Sequence, residues 1–218
     1  MLTVRYAVCD HRRETTIRDA AVPFDVNRSG KTTRIADDTF EAEIDLEGGQ
    51  VSASGLLSLA GIDTVVRVVL PELVDDALLL HSCVLGRDGR AWVCSGPSGA
   101  GKSTLLSLLP DLAVGDELAL LTRREGTLHV RPLWTTTDVR GPLDVESIFM
   151  LEHGEEHERR PVGSSEAMRR LARETGWPVL SPEAAGRSLT VLAWIVENVP
   201  IWNLRFTPDV GVIEMLSG

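Results

Sequence analysis

The chain has 218 residues, 43% of them hydrophobic and 25% charged, which suits one large globular domain, or a domain with an extension, that can bury a sizeable core. Its formal net charge of −10 argues against a nucleic-acid binder, since affinity for a phosphate backbone rests on lysine and arginine. No apolar run approaches the ~20 residues that span a bilayer, and the first residues lack a charged-then-apolar secretion signal. A soluble, cytoplasmic protein is expected, with neither nucleic acid nor membrane among its partners. Cys9, Cys83 and Cys94 are odd in number, widely spaced and set among apolar neighbours, as buried small hydrophobes in a reducing compartment would be.

Taken in order, residues 1–75 read as a β-rich N-terminal region packed on a core formed by 76–218. Leu2–Val8 is a candidate first strand, and polar residues 26–38 read as a loop. Phe40, Ala42, Ile44 and Leu46 alternate with acids, the pattern of a half-buried strand, and Gly48-Gly49 turns the chain into a partner strand from Gln50. The β-branched run Thr64–Leu70 reads as a further strand that stops at Pro71. Leu78–Leu85 is a buried-type strand, and Arg87-Asp88-Gly89-Arg90 is the turn into the next one, from Ala91.

That strand ends in Gly96-Pro97-Ser98-Gly99-Ala100-Gly101-Lys102-Ser103-Thr104 and runs into the helical pattern Leu105–Leu109. Gly96, Gly101, Lys102 and Ser103 satisfy the phosphate-binding pattern G-x-x-x-x-G-K-[ST] in the strand–loop–helix context it needs. Glycines let successive backbone N–H groups turn inward as an anion nest, to which the helix start adds its positive dipole end. Lys102 would reach the β- and γ-phosphates of ATP, and the Ser103 hydroxyl would complete the shell of Mg²⁺. Lys102 is one of only two lysines in a chain whose other cations are arginines.

Beyond the loop, Pro110 ends the helix, and a short apolar run leads to Gly115-Asp116-Glu117, which reads as a strand end. Phosphoryl transfer also needs a group to position the nucleophile and a group to hold the metal. Asp116 is the candidate general base, with Glu117 serving Mg²⁺ directly or through water; a solvated turn is the plainer alternative. His81 lies in a strand that otherwise reads as core, and the following hairpin would bring it beside the phosphate loop. Leu118–Leu121 and Thr127–Val130 flank a tight turn at Arg124-Glu125-Gly126, and Ser147–Leu151 is another strand. Ser164 or Ser165 can cap a helix through Met168 and Leu171, and Ser181-Pro182-Glu183 opens a longer one that reaches Pro200. Two strands, Ile201–Phe206 and Val212–Leu216, would close the chain.

His153-Gly154-Glu155-Glu156-His157 fits H-x-x-E-H, a zinc pattern that works only on a helix. The glycine within it and the charges around it favour a solvated loop. Arg159-Arg160 and Arg169-Arg170 could meet an acidic substrate or a neighbouring subunit, which leaves a homo-oligomer open, although charged helix faces are usually just solvated.

Leu80-His81-Ser82-Cys83-Val84, the loop Gly96–Thr104 and Gly115-Asp116-Glu117 together resemble the C-terminal catalytic domain of HPr kinase/phosphorylase, and still more the compact kinases related to it. Pro142–Glu152 and Pro200–Asp209 resemble the corresponding parts of those short relatives, so the likeness covers about residues 78–216. It implies an α/β P-loop kinase core of HPr-kinase type, a mixed sheet with flanking helices. It also implies active-site roles for His81 and Lys102, Mg²⁺ binding by Ser103, and Asp116 as the base toward a seryl hydroxyl. Two departures stand out. The bifunctional enzyme has paired aspartates where this chain has Asp116-Glu117, and its glycine-rich signature carrying a Mg²⁺-binding glutamate finds only Arg140-Gly141-Pro142 here. Both point away from phosphorylase activity and from HPr as acceptor. The expected function is an ATP-dependent kinase acting on a hydroxyl-bearing protein, peptide or small molecule. The alternatives are a P-loop NTPase switch and a nucleotide-binding regulatory module without an acceptor.

Overall fold

A computed structural model describes residues 25–29, 32–36, 40–45, 50–55, 59–135 and 141–216, and divides the chain into two units, Met1–Leu73 and Val74–Gly218. The candidate strand Leu2–Val8 lies outside the described residues, as do Cys9 and the Gly48-Gly49 turn.

In the first unit, β1 (Asp25–Ser29), β2 (Thr32–Ala36), β3 (Phe40–Asp45) and β4 (Gln50–Gly55) form an antiparallel sheet in sequential order. The alternating stretch from Phe40 is a strand, with Ala42 and Ile44 buried and Glu43 exposed. The described residues of 26–38, a span read as a loop, instead lie in β1 and β2. The β-branched run is also corrected: Thr64–Leu70 lies within the helix α1 (Leu59–Leu73), with Pro71 inside its last turn. Val65, Val68 and Val69 are buried at spacings of three and four, and Asp63 pairs with Arg67 one turn on. β-Branched residues cost a helix only a few tenths of a kcal/mol each, so burial of one stripe outweighs them, and a proline this late removes a single backbone bond.

The second unit is α/β, with β5 (Ala77–Arg87), β6 (Arg90–Ser95), α2 (Lys102–Leu108), β7 (Ala113–Arg124), β8 (Thr127–Thr135), β9 (Leu143–His153), β10 (Glu158–Pro161), α3 (Ser164–Glu174), α4 (Pro182–Asn198), β11 (Ile201–Phe206) and α5 (Ile213–Leu216). Its strands form a mixed seven-stranded sheet in the order β10-β11-β9-β6-β5-β7-β8. The central strands β6, β9 and β11 run parallel, and the outer pairings are antiparallel. A further short pairing joins β8 back to β9 at His129–Asp144 and Val130–Leu143, curling that side of the sheet toward closure.

Each central strand alternates its side chains between two cores. Ala91 and Val93 of β6 join Leu171, Val191, Leu192 and Ile195 of α3 and α4, whereas Trp92 and Cys94 join Leu105 and Leu106 of α2 and Leu216 of α5. Phe149 of β9 is fully buried in the second core, beneath the helix that carries Lys102, and its truncation to Ala would cost about 3–5 kcal/mol. Cys83 and Cys94 are free, buried and directly opposed in this core. Hydrogen bonding to Cys94, with burial behind it, pushes the Cys83 thiol well up, so it stays protonated and unreactive.

Helix signals in the sequence fare unevenly. Ser181 caps α4, accepting from Ala184 N at 3.1 Å. Neither Ser164 nor Ser165 caps α3; the N-cap is Gly163, without a side-chain bond. The expected last strand, Val212–Leu216, is instead a 3₁₀ turn over Val210–Val212 followed by α5. Asp209 caps that turn by accepting from Gly211 N, and this local bond bends the chain out of the sheet. Among the described residues no helix is long and apolar enough to cross a membrane.

Candidate functional site

β6 delivers the chain at Ser95 into the glycine-rich loop, and α2 begins at Lys102. Gly99 and Gly101 adopt φ of 79° and 100°, a left-handed conformation that suits glycine, and a Cβ on Gly101 would lie 2.8 Å from the Phe206 ring. Ala100 N donates to Pro97 O at 3.0 Å, which closes the loop. Pro97, Ser98, Gly99, Ser103 and Thr104 are exposed, whereas Gly96, Ala100, Gly101 and Lys102 are buried. The Lys102 side chain folds back over the loop, its Nζ donating to Gly96 O at 2.6 Å and Pro97 O at 3.2 Å. Two carbonyls thus hold the ammonium in the loop's mouth. A polyphosphate entering there would exchange those carbonyls for anionic oxygens.

Gly115-Asp116-Glu117 is not a strand end. It is an irregularity inside the continuous β7, where the register against β8 shifts between Asp116 and Ala119 and Glu117 takes φ of 71°. Gly115 has no room for a side chain, because a Cβ would lie 2.4 Å from Pro132 Cβ and 2.7 Å from Trp134 O. The bulge turns the two adjacent acids different ways. Asp116 Oδ2 accepts from Ser103 Oγ at 2.9 Å, and its Oδ1 accepts from Glu117 N at 2.8 Å. The Glu117 carboxylate lies instead 3.6 Å from His81 Nε2.

His81 comes beside the loop through the β5–β6 pairing, since Ser82 opposes Ser95 and Ser95 Oγ donates to His81 O at 3.0 Å. Its ring is bracketed by two acids, with Nδ1 3.2 Å from Glu174 Oε2. The second acid reaches it because β6 leaves β5 at Ser95. Thr175 bridges to Leu80, and Gly176 N donates to Leu79 O, in the edge that β6 has vacated. The end of α3 is thereby carried to His81.

A cleft of about 380 Å³ opens between Ser95-Gly96-Pro97, Met150-Leu151-Glu152 and the face of α3 that bears Glu166, Arg170 and Glu174. Arg170 binds that wall together, 3.0 Å from Glu152, 3.3 Å from Glu166 and 2.7 Å from Asn203 Oδ1. Glu152, Arg170 and Glu174 carried no legible signal as a set, because only the fold unites side chains so far apart in sequence.

The H-x-x-E-H stretch holds no shared site. His153 Nε2 lies against Gly99 O of the glycine-rich loop, while His157 Nε2 is 2.9 Å from Asp209 Oδ1. The contact of His153 with the loop was not foreseen from sequence. The solvated loop expected there is confined to 154–157, since β10 follows. Among the described residues no group of three His, Cys, Asp or Glu side chains gathers as a metal site. The Ser103 hydroxyl is nevertheless a hard oxygen donor at the loop's mouth, which fits Mg²⁺ when phosphate oxygens and water complete the shell, whereas the Glu117 carboxylate expected to serve that ion lies toward His81. A scan against protein-family models and a search of curated proteins found no match to this chain.

Proposed function

We propose that this protein is a P-loop kinase of HPr-kinase type, which transfers the γ-phosphoryl group of ATP to a hydroxyl. The observation that carries the reading is the convergence of Lys102, Ser103 and Asp116 at one mouth, with Ser103 and Asp116 2.9 Å apart. In this reading the backbone N–H groups from Ser98 to Thr104, apart from that of Ala100, which is bonded to Pro97 O, cradle the phosphates, and Lys102 leaves its carbonyl partners for the β/γ oxygens. Ser103 holds Mg²⁺, which when bound offsets the charge of the β- and γ-phosphates. Asp116 accepts the proton of the acceptor hydroxyl as that oxygen bonds the γ-phosphorus. The bond from the γ-phosphorus to the β–γ bridging oxygen breaks, and ADP leaves with that electron pair. His81, between Glu117 and Glu174, keeps the acids beside the acceptor in place.

Incubation with γ-labelled ATP and a lysate of the source cells tests this. The reading predicts a labelled, phosphate-bearing product that is lost with Lys102→Ala. Release of labelled inorganic phosphate alone would instead support an NTPase switch, and nucleotide binding without turnover a regulatory module.

A further inference from the structure

The cleft beside the loop has a charge pattern that phosphate binding leaves unused. Three acids and three arginines line it: Glu152, Glu166, Glu174, Arg169, Arg170 and Arg173. It is therefore no general sink for anions, and the distribution is what matters. Arg170 engages both Glu152 and Glu166, and His81 engages Glu174. Each acid of the wall thus has a partner within the protein. Arg169 and Arg173, exposed and one helical turn apart on α3, have no acidic partner among the described residues.

Gly96 and Pro97 line the same cleft, and their carbonyls hold the Lys102 ammonium, the group that addresses the β/γ end of a triphosphate. The transferred end of the nucleotide would therefore face the cleft. We propose that the phosphoryl acceptor carries an anionic group, carboxylate or phosphate, besides its reacting hydroxyl, and that Arg169 and Arg173 hold that group. This rests on the kinase reading above. Two guanidinium forks on one helix face match the paired oxygens of either anion, and the pairing of the wall acids with Arg170 and His81 leaves both forks open to it.

Calorimetric titration of the protein saturated with Mg²⁺ and a non-hydrolysable ATP analogue, with malonate and inorganic phosphate as probes, tests this. Wild type should bind at least one probe. Arg169→Gln/Arg173→Gln should lose about tenfold or more in that affinity, as expected when charge-assisted bonds are removed. Analogue affinity and melting temperature should hold, and Arg169→Lys/Arg173→Lys should keep part of the affinity. Binding of malonate alone identifies a carboxylate acceptor, and binding of phosphate alone a phosphorylated one. Absence of probe binding in wild type, or equal binding by the Gln variant, would overturn the proposal. So would a parallel tenfold fall in analogue affinity, which would give the arginines to the nucleotide. If wild type fails to bind the analogue, the kinase reading falls, and the probe titration repeated without nucleotide still decides the anion site.

Discussion

The Ser103 hydroxyl donates to Asp116 Oδ2 across 2.9 Å, linking the first turn of α2 to the bulge in β7. With Glu117 N on the other oxygen, Asp116 is fixed from two sides and turned toward the mouth of the loop. A carboxylate oxygen has two lone-pair directions, so each keeps one for a proton or a hydrated cation. The contact therefore suits a base that works beside a metal-binding hydroxyl.

Lys102→Ala removes the ammonium held by Gly96 O and Pro97 O, the group that the proposed reading assigns to the β/γ oxygens. ATP affinity should fall and transfer should drop by roughly 10²–10³, as when other transition-state donors are lost. Calorimetric binding and single-turnover assays measure both, and wild-type turnover in the variant would exclude the loop as the active site.

His81→Gln removes a ring that lies 3.2 Å from Glu174 and 3.6 Å from Glu117. Transfer should fall by roughly 10² if the ring orders the acids around the acceptor, with ATP affinity held within a few-fold. Equal turnover in variant and wild type would make His81 a structural residue only.

Gly115→Ala drives a methyl group into Pro132 and the Trp134 carbonyl. Overpacking of this kind costs about 1–3 kcal/mol, and relief by shifting β8 would move Asp116 as well. Denaturant unfolding should show the loss of stability together with reduced transfer; an unchanged midpoint would mean that the bulge is not tightly packed.

The site was legible in the sequence where its chemistry is local. Gly96–Thr104 states its turn, its lysine and its hydroxyl in one run, and the Asp88-Gly89 turn explains how His81 returns to it. Asp116 could be named but not understood, because a bulge depends on the neighbouring strand: the sequence shows Gly-Asp-Glu, whereas Pro132 and Trp134 make the glycine obligatory. Glu174 reaches His81 only because Thr175 occupies the edge that β6 vacates, a consequence of tertiary pairing. The misread elements have a common cause. In Thr64–Leu70 valines flank Arg67 on both sides, so the run shows no clear period of two or 3.6, and burial of one stripe decides. At Val212–Leu216 a single side-chain cap from Asp209 overrides a strand-like composition.

Asp209 gives the fold a pH dependence. The Thr207 hydroxyl chiefly, then His157 and the Gly211 N–H, hold its carboxyl down from 3.8 to about 2. A depressed carboxyl stabilises the fold fully above its unfolded value and loses that contribution as pH falls through the folded one. The melting temperature of wild type should therefore exceed that of Asp209→Asn at neutral pH, and the gap should close between about pH 4 and pH 2. A constant gap over that window would contradict the lowered Asp209 carboxyl.

The most direct measurement is single-turnover transfer by Asp116→Asn beside ATP affinity with and without Mg²⁺. The substitution keeps the shape of the site and its neighbours but removes the proton acceptor. With Asp116 as base, ATP binds at least as well as in wild type while transfer falls by roughly 10²–10⁴. Weaker MgATP binding and a raised metal requirement would instead assign Asp116 to the cation. Unchanged affinity together with unchanged turnover would contradict the account at its centre, leaving the Ser103–Asp116 contact a structural link alone.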